Sequence, residues 1–498
     1  MNQFIITKNI SKNFSGVQAL QDVSISIHSG EIRCLAGENG SGKSTFIKVI
    51  AGTYKPDSGR IFINGKAFKN LHPIMAIREG IQVIYQDFSL FPNLTVAENL
   101  AINTLLEQKR RLVNWREVRQ IAREAIAQIG VNLNLNELIA ELSVAEKQLI
   151  AIARALLHDA KLIIMDEPTT ALTQREVTRL FQIIKKLQQD GISILFVSHK
   201  LREILDISEN ITVLRNGKVV AEGKSTEFDQ TKLVYAMTGR ELTEKRFYFQ
   251  QQESAIKTRL RVVNLSKKDA FKNISFDLRP GEILGITGLL GSGRSELAVS
   301  LFGVAPIDAG QIYINDKPVR IHSVQDAMRH GLAYVPEDRL TEGLFLEQSI
   351  EKNIIITVLK TLLNRCKLLN YKKAHSLANH SMNELQIVAP TSRMAVQCLS
   401  GGNQQKTVLA KWLAAKAKIL VLNGPTVGVD IGAKMDLHEK IRTLAKRGRG
   451  LIIISDDIPE LMQTCNRVLL MHRGEIIDEY STIESNENQL VERMRRLK

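Results

Sequence analysis

Short β-branched runs bounded by turn residues punctuate the chain: Ile32 to Ala36, Ile81 to Tyr85, Leu162 to Met165, Ile192 to Val197 and Leu451 to Ile454. Each is followed by a longer amphipathic stretch, and this alternation predicts a largely parallel α/β core. Residues 96–155 break the pattern. VAENLAINTLLEQKRR and REVRQIAREAIAQIG place apolar residues at i, i+3, i+4 and i+7, which predicts a helical subdomain inserted into the core.

The pattern also repeats. Gly30-Glu31-Ile32 returns as Gly281-Glu282-Ile283, and the loop at Gly37 returns at Gly288, both 251 positions on. Leu142-Ser143 returns as Leu399-Ser400, Pro168-Thr169 as Pro425-Thr426 and Val197-Ser198 as Ile454-Ser455, now 257 positions on. A single six-residue insertion between about 90 and 140 in an otherwise collinear duplication accounts for the change. The polar, Gln-rich stretch from Glu241 to Arg259 predicts a linker, so the expected domains are 1–240 and 260–498.

In the first copy, Gly37-Glu38-Asn39-Gly40-Ser41-Gly42-Lys43-Ser44 lies between an apolar strand and a helical run expected from Thr45. This is the G-x-x-x-x-G-K-[ST] phosphate loop in its strand–loop–helix setting. Its glycines free backbone N–H groups for phosphate, Lys43 reaches the β/γ-phosphates, and the Ser44 hydroxyl is a Mg²⁺ ligand. Downstream, an apolar strand ends in Asp166 and Glu167, a metal carboxylate and a water-polarising base. Gln86 and His199 also follow apolar strands, and strand carboxyl ends are where open α/β sheets bind ligands.

These motifs, in this order and twice over, resemble the nucleotide-binding subunits of ABC transporters. The resemblance implies tandem P-loop NTPase domains, each with a RecA-like core and an inserted helical subdomain. It implies ATP and Mg²⁺ as ligands. Gly37, Asn39, Gly40, Ser41, Gly42, Lys43, Ser44 and Thr45 would hold ATP, with Phe14 stacked on adenine. Ser44, Gln86 and Asp166 would hold Mg²⁺, Glu167 would be the base, and His199 would touch the γ-phosphate. Thr169 to Thr173 resembles the D-loop.

The second copy departs from this set. Lys43 becomes Arg294 in a loop that keeps Gly288, Gly293 and Ser295; Gln86 becomes Glu337, Asp166 becomes Asn423, Glu167 becomes Gly424, and His199 becomes Asp456. Arg is a planar fork and not a compact ammonium, Asn is a poorer Mg²⁺ ligand than a carboxylate, and Gly has no base to offer. The second copy keeps the signature Leu399-Ser400-Gly401-Gly402-Asn403-Gln404-Gln405, with Asp430 at its D-loop, whereas the first reads Leu142-Ser143-Val144-Ala145-Glu146. In this family two such units sandwich head to tail. The resemblance therefore implies one competent site, in which the first P-loop faces Ser400, Gly401 and Gly402.

Gly-Arg-Ser in the second P-loop, Val335 to Arg339, LSGGNQQK and Gly428 to Lys434 resemble the tandem subunit of ribose/galactose/xylose-type importers. That group implies a separate membrane permease, expected as a dimer, and an extracytoplasmic solute-binding protein acting indirectly. It also implies a peripheral seat on the cytoplasmic face of the inner membrane. Nucleoside or other small-solute import and a cytosolic tandem ATPase acting on ribosomes are the alternatives.

The chain has 498 residues and a net charge of +15. The charge divides as +6 over residues 1–249 and +9 over 250–498, so neither half is a basic arm and no nucleic acid is expected. The four cysteines show no CxxC pair, which excludes a zinc module and a disulfide framework. No apolar run approaches the roughly 20 residues that span a bilayer, so a chain soluble on its own is expected.

Overall fold

The computed structural model describes residues 3–14, 17–107, 112–170, 172–241 and 258–497. The chain divides into two compact units, Met1–Leu242 and Thr243–Lys498. Most of the expected linker lies outside the described residues.

In the first unit a six-stranded sheet runs in the order Lys218–Lys224, Asn210–Arg215, Ile32–Ala36, Ser193–Ser198, Leu162–Asp166 and Ile81–Ile84. All neighbours are parallel except the edge hairpin of Asn210–Arg215 and Lys218–Lys224. Ile32–Ala36 and Ser193–Ser198 are buried along their whole length, as a sheet covered on both faces requires. Each fully buried Ile or Leu there stabilises the unit by about 1.5–3 kcal/mol. A second, antiparallel sheet is built on Gln3–Phe14, which pairs with Val17–Val23, Ser26–His28 and Ser58–Ile63.

The second unit repeats the parallel sheet strand for strand: Leu332–Val335, Ile419–Asn423, Gly450–Ile454, Ile283–Gly288, Arg467–His472 and Glu475–Ser481. The helical insertion is present in both units. Trp115–Ile129 buries Val118, Ala122, Ala125, Ile126 and Ile129 on one face. It starts where the Asn114 side chain accepts from Arg116 N and stops at Gly130, whose φ of 69° suits a residue without Cβ.

Three features differ from the sequence expectation. The phosphate-loop helix begins at Lys43 and not at Thr45. The six extra residues of the second copy are also spread over several places and are not one insertion. Phe91 N donates to Asn99 Oδ1 (2.8 Å) as Phe345 N donates to Asn353 Oδ1 (2.9 Å), which puts three of the six before this point, in the loop after Gln86 or Glu337. There the extra residues wind into the π-helical turn Arg339–Gly343. The first hairpin changes length as well, in the opposite sense. Asn9 N donates to Ser24 Oγ and Asn264 N to Ser275 Oγ, so the second copy has lost four residues between those positions.

Candidate functional site

The buried strand Ile32–Ala36 delivers the chain into a loop that leads to the helix Lys43–Ile50. A Cβ on Gly37 would lie 2.4 Å from Leu214 O, and one on Gly42, at φ 106°, would lie 2.6 Å from Ala19 O. Only glycine fits at either place. The loop therefore hugs the sheet and turns the first N–H groups of the helix outward, a ready anion site. Lys43 is buried, and its Nζ donates to Gly37 O (2.7 Å) and Glu38 O (2.8 Å). Asn39 and Ser44 are exposed, Thr45 is half-buried, and the buried Ser41 Oγ has no protein partner.

Asp166 ends the strand Leu162–Asp166, and Ser44 Oγ donates to its Oδ2 at 3.4 Å. Burial, then the neighbouring Glu167 charge, pushes the Asp166 carboxyl above its usual range against the pull of Lys43. Glu167 sits in the left-handed region at φ 49°. This turns its side chain towards His199, whose Nδ1 lies 2.8 Å from Glu167 Oε1. Burial opposes ionisation of Glu167, but the His199 hydrogen bond and charge, with Lys43 and Lys200, prevail and hold its carboxyl below the usual range. Glu167 is thus ionised at neutral pH, a proton acceptor held at one angle.

Gln86 lies at the same carboxyl end of the sheet, two residues beyond Ile84, and is exposed. The loop after it carries two consecutive left-handed residues, Phe88 (φ 59°) and Ser89 (φ 47°). Arg154, from the helix Val144–Leu156, donates to both of their carbonyls, at 3.0 and 2.7 Å, and clamps the strained turn. Phe14 is half-exposed and edge-on to Tyr54, with ring centroids 5.2 Å apart. The structure thus links Lys43, Ser44, Asp166, Glu167 and His199, and leaves Gln86 and Phe14 outside that network. Ala171, inside the expected D-loop, lies outside the described residues.

The two signatures differ by more than the glycines. Ser143 is consumed by its own helix: Glu146 Oε2 accepts from the Ser143 hydroxyl (2.7 Å) and the Ser143 N–H (2.9 Å). A carboxylate already occupies that anion-favouring terminus. At the matching position the second unit has Asn403, a neutral side chain whose Nδ2 donates to Ser400 Oγ (3.1 Å). A Cβ on Gly402 would lie 2.4 Å from Ala433 Cβ, and one on Gly401 would lie 2.8 Å from an Arg339 guanidinium nitrogen. Neither Val144 nor Ala145 could take these places.

The second phosphate loop keeps the backbone. Gly293 has φ 91°, and a Cβ on Gly288 would meet Met471 O at 2.4 Å. Arg294 donates to Gly288 O (2.8 Å) and faces Asp456 at 4.0 Å, an internal counter-ion where the first copy has His199. Asn423 is buried, and its Nδ2 donates to the Tyr334 hydroxyl (3.4 Å). Tyr334 packs on Phe302 (centroids 5.7 Å), which packs on Trp412 (5.2 Å). These three rings stand where the first copy has Val83, Ala51 and Ala155. The hairpin shift also places Asp269, and no aromatic, at the counterpart of Phe14. Glu337 crowds Gly424: a Cβ there would lie 3.0 Å from Glu337 Cγ. Pattern reading missed Glu146, Tyr334 and Asp269; the first was visible as an S-x-x-E capping pattern.

The family model described as "ABC transporter" matches residues 20–170 and 271–427, one match in each unit. Among similar curated proteins, the ribose import ATP-binding protein RbsA of Caldanaerobacter subterraneus is 36% identical over 491 residues, covering 99% of each chain. RbsA 3 of Rubrobacter xylanophilus is 40% identical over 492 residues, 99% of this chain and 98% of that one. The Bacillus cereus RbsA is 41% identical over 472 residues, 94% of each. Two family matches, each spanning a phosphate loop and its downstream strand, and relatives aligned almost end to end lead to one conclusion: the chain belongs to the ABC transporter family, as a tandem ATP-hydrolysing subunit.

Proposed function

We propose that this chain hydrolyses ATP at one composite site to energise import of a small sugar through a separate membrane permease. One observation carries the reading. The complete set Lys43, Ser44, Gln86, Asp166, Glu167 and His199 is in the first unit, while the signature whose Ser400 is not spent on a carboxylate is in the second. The pieces complement one another only if Ser400 and Gly402 act on ATP bound at Lys43.

Ser44, Gln86 and Asp166 offer hard oxygen donors, and the 3.4 Å approach of Ser44 Oγ to Asp166 fits a shared Mg²⁺. That ion would neutralise charge on the β- and γ-phosphates. The chain's own residues do the rest. Lys43 exchanges its loop carbonyls for phosphate oxygens, Glu167 accepts a proton from the attacking water, and His199 fixes the angle of that carboxylate. At the second loop Arg294 already has Asp456 as counter-ion and Asn423 is spent on Tyr334, so no hydrolysis occurs there.

Among the described residues no helix is long and apolar enough to cross a membrane. The reading takes the permease as a separate chain, expected as a dimer, with this subunit at its cytoplasmic face and an extracytoplasmic binding protein choosing the solute. Import of ribose is what the relatives' names state for those proteins, and it is the first solute to try. The test is uptake of labelled ribose, galactose and xylose into vesicles holding the chain with a candidate permease from the same genome. Sugar uptake that needs ATP and stops with Lys43→Ala supports the reading. Uptake of nucleosides and no sugar would overturn its solute, and activity on ribosomes without any permease would overturn it altogether.

A further inference from the structure

The two units treat the seam between the signature helix and the helix after the D-loop in opposite ways. In the second unit Gly401–Ala414 and Ile431–Lys446 touch at Gly402 and Ala433. One turn further, buried Lys406 Nζ lies 3.0 Å from Asp436 Oδ2. The helix Ile431–Lys446 is in turn fastened to the segment after the strand Gly450–Ile454. Lys434 Nζ lies 2.5 Å from Asp457 Oδ2, and His438 Nε2 lies 2.7 Å from Glu460 Oε1. Glu460, buried, also accepts from Thr426 (2.8 Å) and Ser455 (3.0 Å). Signature, D-loop helix and switch segment are thereby stitched into one body.

The three charged ties cannot form in the first unit, although its Glu203 keeps the hydroxyl contacts, accepting from Thr169 and from Ser198 (3.3 Å) as Glu460 does from Thr426 and Ser455. The counterparts of Lys406 and Asp436 are Leu149 and Arg179; those of Lys434, Asp457 and His438 are Val177, Lys200 and Phe181. Phe181 packs edge-on against Phe196 at 5.8 Å, and Lys200 pairs with Glu203 at 3.0 Å and donates to Thr169 O at 2.9 Å, so that here the switch segment is tied to the D-loop itself. The seam itself holds a cavity of about 260 Å³ lined by Ser143, Gln148, Leu149, Arg179 and Leu180, and the buried Gln148 amide has no protein partner.

We propose that Lys406–Asp436, Lys434–Asp457 and His438–Glu460 are positioning pairs for ATP hydrolysis, holding Ser400 and Gly402 as a fixed face for ATP carried by the first unit. The proposal rests on the composite-site reading above. Against well-packed apolar residues of the same size, buried ion pairs gain little net stability, because desolvation offsets their attraction. What they impose is a single arrangement of three helices, at a place where an error of about 1 Å costs roughly a hundredfold in rate.

The full chain tests this with Lys406→Met, Asp436→Leu and the reversed pair Lys406→Asp/Asp436→Lys, read by ATP turnover, nucleotide affinity and hydrogen exchange of residues 401–414. Each single variant should lose roughly tenfold or more in kcat with ATP affinity at the first loop unchanged and exchange of the signature helix raised. The reversed pair should recover both kcat and protection. Parental turnover in the single variants overturns the proposal, as does a reversed pair that regains protection without turnover. Gly402→Asp in the same assay separates the two claims. If it retains turnover, the composite site fails and the pairs with it; if it loses turnover while Lys406→Met keeps it, only the pairs fail.

Discussion

Glu146 Oε2 accepts from both the hydroxyl and the backbone N–H of Ser143, so the first unit's signature serine caps its own helix. Ser143→Ala should therefore cost about 1 kcal/mol of first-unit stability, the ordinary value of a lost N-cap. ATP turnover should stay near the parental rate. Ser400→Ala should do the reverse, with turnover falling steeply and melting temperature barely moving. Thermal melts and phosphate release on the two variants check this, and equal loss of turnover in both would refute the asymmetry.

Glu167→Gln removes the proton acceptor but keeps its shape and its contact to His199. Turnover should drop by roughly a hundred- to ten-thousandfold, the usual worth of a positioned general base. A fluorescent ATP analogue should bind as tightly as before, since Lys43 and the loop N–H groups are untouched. Residual turnover within tenfold of the parent would assign the proton elsewhere.

Asp166 is held above the usual carboxylate range by burial and by Glu167. A raised carboxyl penalises the folded state wherever it is ionised. The penalty is full above its folded value and vanishes below the unfolded one near 3.8. Asp166→Asn should then stabilise the Mg²⁺-free first unit at pH 7, with the gain fading as pH falls through the raised folded value and gone below about 3.8. Urea unfolding at pH 7 and pH 3.5 reads this directly, and a loss of stability at pH 7 would contradict it.

Glu460 shows the opposite sign. Its burial is outweighed by His438, Lys434 and Thr426, so its carboxyl is held at about 2, below the ordinary 4.5. That difference contributes on the order of 3 kcal/mol to the second unit above pH 4.5, lost as pH falls towards 2. Glu460→Gln should lower stability at pH 7 and flatten the acid limb of the profile. Trp412 reports this unit alone in a Trp115→Phe chain, because these are the two tryptophans present. An acid limb as steep as the parent's would locate the protons elsewhere.

Much of the site was legible in sequence because its constraints are local. Gly37, Gly42 and Lys43 are forced by backbone geometry within one loop, and the acids at 166 and 167 mark a strand end. Through-space relations left no such trace. Lys406 and Asp436 are thirty positions apart on different helices, and neither helix announces the other's charge. Asp269 escaped notice because hairpin loops change length freely, which moves a counterpart without disturbing the flanking strands. Likewise the six extra residues read as one insertion, since exposed loops and helix ends absorb single residues wherever no core contact fixes them.

The second unit's departure is spread over four loops and is not lodged in one pair of positions. With Asp and Glu put at 423 and 424, the phosphate loop would still hold Arg294 against Asp456, and Glu337 would still crowd position 424. The Tyr334 hydroxyl, which accepts from Asn423, would have to turn and donate to the new carboxylate. A symmetrical, two-stroke version of this engine therefore needs coordinated changes at several loops, not two point changes.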